Sequence, residues 1–399
     1  DFFSSMTRLQ NIVYSGTLRI GPAAVSKVAN DFYSPAIRIG SIRPGTTLYD
    51  SNGHVAVIYD VLPDGRLLFF DAHPDNSVTH GTFSARFARS NPGQSAGFKN
   101  FRPFKLINAK PNGGSALAGG QFVFAKDEEI PDFDTTQYYG SPANTRDWKQ
   151  GTFTRNNRIL NFHEYVRASL ATEKISPVVE FRSSLEDLCN NFKERTASVD
   201  AGLKNGIHLK AHPSALPPNI FGSEGDWENY STPGRDARLR ATFLQLKKNV
   251  EDRYRQWQGN DFSDMKYDGA DLKKDLLRAF HAVNLECPVS YTNSNGKKVH
   301  LGFELAIRRL FLLSFDPYHC PERRWGATHP QELNSCADDS GKTRWYEAQQ
   351  DIRNELQRDW ASDRPITMDD LKAGRFGSRE TPVIDLRGFL ESLPAKGRK

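Results

Sequence analysis

Three side chains in one short stretch of this 399-residue chain are of the types that move protons. In SNGHVAVIYDVLPDGRLLFFDAHPDNSV, Ser51 to Val78, His54 opens an apolar run, and Asp71 and His73 close the next one. An imidazole held by a neighbouring acceptor is the base half of a nucleophilic site. The acceptor fixes the ring's tautomer and stabilises the imidazolium formed during transfer. Two imidazoles and a carboxylate are also a zinc donor set. No HExxH motif accompanies them, and strand spacing serves a catalytic pair equally well, so metal ranks second. The plain alternative is a histidine at a strand edge beside two turn-capping polar residues.

A hairpin must position these groups. The tip Pro63-Asp64-Gly65 between two apolar runs is a hairpin signal. If Asp64 and Gly65 form a two-residue loop, Pro63 faces Arg66, Ile58 faces Asp71 and Ala56 faces His73. Side chains alternate with period two, so His54 shares their face. A loop one residue longer would break that arrangement. Around the hairpin, AIRIGSI, TTLYD and GQFVFAK are further short strand signals, separated by Pro, Gly, Asn and Asp. A helix is expected over Pro22 to Asp31, and loops over Ser90 to Asn100 and Pro111 to Gly120.

The stretch RPGTTLYDSNGHVAVIYDVLPDGRLLFFDAHP resembles the core of the NlpC-like branch of the papain-like cysteine hydrolases, many of them cell-wall peptidases. Pro44-Gly45, Gly53-His54-Val55 and Asp71-Ala72 carry the resemblance, which covers about residues 35 to 80. It implies a papain-like fold, His54 as general base, Asp71 as its orienting partner and His73 as the reserve for that role. It also implies a peptide or cell-wall peptide substrate, no cofactor, and a cysteine nucleophile on a helix ahead of the strands, where a thiolate gains from the helix dipole. The chain carries no cysteine before Cys189. Either the cysteine-bearing helix precedes Asp1, or the nucleophile is lost and the module binds without turnover. Cys189 offers a third route, because permuted relatives place the cysteine after the histidine. It lies on an apolar helical stripe, however, where a buried inert thiol is the commoner outcome.

After residue 150 the periodicity turns helical. Phe181, Leu185, Leu188, Phe192 and Val199 form one stripe, and further helices are expected at Asp236 to Trp257, Asp271 to Asn284, Phe303 to Phe315 and Arg344 to Trp360. The expected organisation is therefore α+β: a papain-like antiparallel domain over 1–150, then a mostly helical domain over 151–399. A loop shaped by Trp227, Tyr230 and Arg235 is either a ligand groove or a loop packed on the helical domain by its aromatics.

Composition limits the remaining choices. The 53 basic and 48 acidic residues leave a charge of only +5, spread without clusters, so nucleic acid is not an expected partner. No apolar run approaches the length of a membrane span, since Arg308 and Arg309 interrupt the longest, Leu301 to Phe315. Four cysteines without a CxxC pair suggest disulfides and an exported protein, with Cys320–Cys336 the expected bridge across a loop.

Overall fold

The structure is a computed structural model. It describes residues 2–12, 31–51, 53–72, 78–85, 87–93, 95–144, 147–221, 224–356, 361–382 and 384–396. The chain is α+β and divides into two compact units, Asp1–Glu173 and Lys174–Lys399. Helices of seven or more residues are labelled α1 to α7 below, beginning with α1 (Phe2–Ile12).

In the first unit the β-branched and aromatic runs form a six-stranded sheet. Its strands are β1 (Phe32–Tyr33), β2 (Thr47–Tyr49), β3 (Val55–Val61), β4 (Leu67–Ala72), β5 (Val78–Thr82) and β6 (Gly97–Phe101). The spatial order is β1-β6-β2-β3-β4-β5, and every neighbouring pair is antiparallel. Alternation gives the sheet an inner face, where Ala56, Ile58, Leu67 and Phe69 are buried, and an outer one that leaves Tyr59 and Phe70 partly exposed. Helix α2 (Phe162–Leu170) covers the inner face with Phe162, Val166 and Leu170. Its start is fixed by a capping box: Asn161 accepts from the Glu164 backbone N–H, and the Glu164 carboxylate accepts from that of Asn161. The first helix after residue 150 thus belongs to the sheet, and the units meet at 173/174.

Three local readings differ from what is found. Within the expected loop Pro111 to Gly120, Leu117–Ala118 pairs antiparallel with Lys110–Pro111 as a short hairpin. Gly97–Phe101, overlapping the expected loop Ser90 to Asn100, is a strand held between β1 and β2. Its sequence GFKNF has no β-branched residue, so its strand state comes from partners on both sides rather than from propensity. AIRIGSI instead forms turns, with Ile37 and Ile42 buried and a single bridge between Ile39 and Ile42. The helix expected from Pro22 falls outside the described residues, apart from Asp31.

The second unit is mostly helical. Its core is formed by α3 (Pro177–Lys204), α4 (Pro233–Gln258) and α5 (Leu272–Glu286), with Leu188 and Phe192 packed in one cluster with Phe243, Leu246 and Phe280. Asp271 caps α5 by accepting from the Lys274 N–H. Helices α6 (Ser340–Ala348) and α7 (Leu386–Ser392) complete it. The helix expected from Phe303 stops at Arg308, and Arg309 to Phe315 continue in turns and extended backbone. Side chains replace the lost helical bonds: Arg240, Gln350, Tyr346 and Arg195 donate to the carbonyls of Leu310, Phe311, Leu312 and Ser314. The expected Arg344–Trp360 helix is split into α6 and a short turn, Gln350–Asn354, with 357–360 outside the described residues. Trp227 is buried in a cluster with Phe315 and Tyr318, which makes its loop a packed one.

Two disulfides lie in this unit, the expected Cys320–Cys336 and a long-range Cys189–Cys287. Among the described residues no helix is long and apolar enough to cross a membrane.

Candidate active site

The hairpin of β3 and β4 brings His54 and Asp71 together. A turn from Asp50 to Gly53 leads into His54: the Gly53 N–H donates to the Asp50 carbonyl, and the Asp50 N–H to that of His54. Gly53 has φ +84°, a left-handed value that glycine adopts without strain. The buried Asp50 carboxylate braces this turn by accepting from the backbone N–H groups of Ser51 and Ala88.

The register reaches the expected juxtaposition by a different route. The hairpin loop has three residues, Pro63-Asp64-Gly65, because the Leu62 N–H donates to the Arg66 carbonyl. That extra residue alone would have turned Asp71 to the other face. A bulge at Tyr59, between Ile58 and Asp60, adds a second residue and restores the parity. Ala56 therefore faces Asp71, where the two-residue loop would have placed Ile58. His54 Nε2 and Asp71 Oδ2 lie 2.5 Å apart, and the carboxylate is buried while the imidazole side chain keeps 21% of its surface. The ring donates from Nε2, so the neutral imidazole carries its lone pair on Nδ1.

The hairpin tip is clamped to α2. Asp64 accepts from Arg66 Nε and Arg167 Nη2, and the Pro63 carbonyl accepts from the N–H groups of Thr172 and Glu173. Burial raises the Asp64 carboxyl, but the Arg167 and Arg66 guanidiniums outweigh it and hold the group below its ordinary value. Gly65, at φ +80°, lies so close to α2 that an added Cβ would meet the Arg167 carbonyl oxygen at 2.1 Å. His73, the reserve partner, lies outside the described residues.

No family model, curated protein or solved structure matches this chain.

Cys189 is bonded to Cys287, so the third route to a thiol nucleophile is closed in this structure. All four cysteines are paired.

A second polar centre lies in the helical unit, among residues with no catalytic motif. His212, Asp316 and His319 place their donor atoms within 4.8 Å of one another, a spacing compatible with a metal. Their hydrogen bonds show a different use. His212 engages the Asp316 carboxylate and the Pro213 carbonyl, each at 2.7 Å. His319 lies between the Ser314 hydroxyl at 2.7 Å and the Lys342 carbonyl at 3.2 Å. Burial pushes the His319 ring down to about 3, which makes it a neutral, fully bonded core group. Trp345 stacks on His212 at 4.5 Å. With each ring nitrogen engaged by a protein partner, this centre ties the buried segment Ser314 to Cys320 to the rest of the unit. The fragment DPYHC is its sequence signal, since Asp and His so close together in an apolar surrounding need partners.

Proposed function

We propose that His54 and Asp71 are the base and orienting residue of a papain-like, NlpC-like cysteine hydrolase that cleaves amide bonds, with cell-wall peptides as the substrate class. The 2.5 Å contact from a partly accessible imidazole to a buried carboxylate carries this reading. In it the thiol belongs to a cysteine on a segment preceding Asp1. His54 Nδ1 takes the thiol proton as sulfur attacks the carbonyl carbon, then delivers it to the leaving amine as the C–N bond breaks. Water, deprotonated by the same nitrogen, releases the acid from the thioester. The two disulfides support an exported protein acting outside the reducing cytoplasm.

The test uses the full-length natural protein, assayed on cell-wall peptides. His54→Ala is expected to lower kcat by about 10²–10⁴-fold. Asp71→Asn should lose less, because orientation partly survives. A thiol alkylator should abolish turnover, and EDTA should leave it unchanged. Full activity of His54→Ala would sink the proposal. The pairing of all four cysteines in disulfides favours a second reading, a binding module without turnover. Saturable peptide binding with no hydrolysis in the same protein would select that one.

A further inference from the structure

The helical unit buries more positive charge than it neutralises. Arg195, Arg240, Arg324 and Arg353 are each at most 2% exposed, on α3, α4, and the short turns Pro321–Arg324 and Gln350–Asn354. Among the described residues only Arg195 pairs with a carboxylate: its Nε and Nη2 donate to the two oxygens of Asp236 at 2.6 and 3.1 Å. Two other buried carboxylates nearby are engaged elsewhere: Asp316 by His212, Gln349 and the Tyr318 N–H, and Glu322, on the same turn as Arg324, by the Ser294 N–H and the hydroxyls of Ser294 and Ser335.

Arg324 lies against Arg195. The Nη2 atoms of both reach the same Thr232 hydroxyl at 3.4 Å, although like charges repel strongly in a dry interior. Arg195 Nη1, Arg240 Nη2, Arg324 Nε and Arg353 Nε have no hydrogen-bond acceptor. Aromatic rings flank the group, with Arg195 over Trp325 at 4.9 Å and Arg353 over Tyr346 at 4.1 Å. Gly202 faces Arg324, where an added Cβ would come within 3.2 Å of Nη1. Burial and Arg195 pull Arg324 down, to about 9, which still leaves it charged at neutral pH.

Guanidinium groups with unmet N–H donors are complementary to oxyanions, whose several acceptors match the planar fork. We propose that the helical unit binds one small oxyanion, of the phosphate or sulfate class, between Arg195, Arg324 and Arg240 beside Asp236. Bound there, it would supply the missing negative charge and the acceptors that Asp236 cannot provide alone.

The full chain tests this directly. The purified protein is exchanged exhaustively into buffer free of phosphate and sulfate, denatured, and its released anions are measured by ion chromatography. One oxyanion per chain is expected. If the exchanged protein is emptied instead, phosphate should raise the unfolding midpoint with the logarithm of its concentration, by roughly 5–10 °C at a hundred times the dissociation constant. Chloride at equal ionic strength should not. Arg324→Met should abolish both signals. Should that variant fail to fold, Arg324→Lys, which keeps the charge without the fork, should weaken the phosphate response about tenfold. Release of no oxyanion together with no phosphate response beyond that of chloride would overturn the proposal. So would a response unchanged in the Arg324 variants.

Discussion

Ala56 stands directly across the hairpin from Asp71, and its methyl group is the smallest side chain that keeps the strand regular at that point. His54, two residues earlier on the same face, reaches diagonally past it to the carboxylate. Ala56→Leu should fill this gap. The expected cost is about 1–3 kcal/mol from overpacking a fully buried site, read from the urea midpoint. The imidazole should also be displaced, so the His54 Nε2–H resonance should lose its strongly deshielded position in proton NMR. An unchanged resonance would show that Ala56 does not gate the pair.

Gly65 fixes how the hairpin tip meets α2. Its left-handed φ and its approach to the Arg167 carbonyl leave no place for a side chain. Gly65→Ala should therefore destabilise by more than about 1 kcal/mol, against the gain alanine gives at compatible sites. Chemical denaturation followed by the near-ultraviolet signal would measure it, and equal stability would refute the clamp.

The two disulfides should differ in worth. Cys189–Cys287 closes a separation of 98 residues and Cys320–Cys336 one of 16. In the loop-entropy model these contribute about 4.7 and 3 kcal/mol respectively. Replacing the first pair with alanine should lower the denaturation midpoint more than replacing the second. The reverse order would show that local packing outweighs chain entropy here.

Asp338 should make part of the stability depend on pH. Burial pushes its carboxyl up to about 6, above the value in an unfolded chain. Between about pH 4 and pH 6 the native state then holds a proton that the unfolded state releases, so this group's contribution falls as pH rises. His163 and His319, lowered by burial, act with the opposite sign over an overlapping range. The isolating measurement is the difference between Asp338→Asn and the parent chain. It should move in favour of the variant as the pH rises through that window, and a constant difference would contradict the assignment.

The sequence by itself determined what short-range periodicity can carry. Apolar alternation in HVAVIYDV and RLLFFDA fixed β3 and β4, and the stripe from Phe181 to Val199 fixed α3, because each pattern is complete within its own element. A hairpin rich in β-branched and aromatic residues also marked His54 and Asp71 as potential neighbours. Their meeting depended on a parity that the residues alone left open. A three-residue loop and a bulge at Tyr59 each shift the register by one, and only together do they return Asp71 to the face of His54. Strand β6 was hidden for a related reason: GFKNF has no β-branched residue and follows a stretch rich in Gly, Ser and Asn, and β1 and β2 supply the pairing. The helical unit makes the point most strongly. Arg195, Asp236 and Arg324 lie far apart in sequence and resemble solvent-facing charges there, yet long-range packing of α3 and α4 buries them together. Burial is a property of distant partners, and it turns ordinary surface residues into a site.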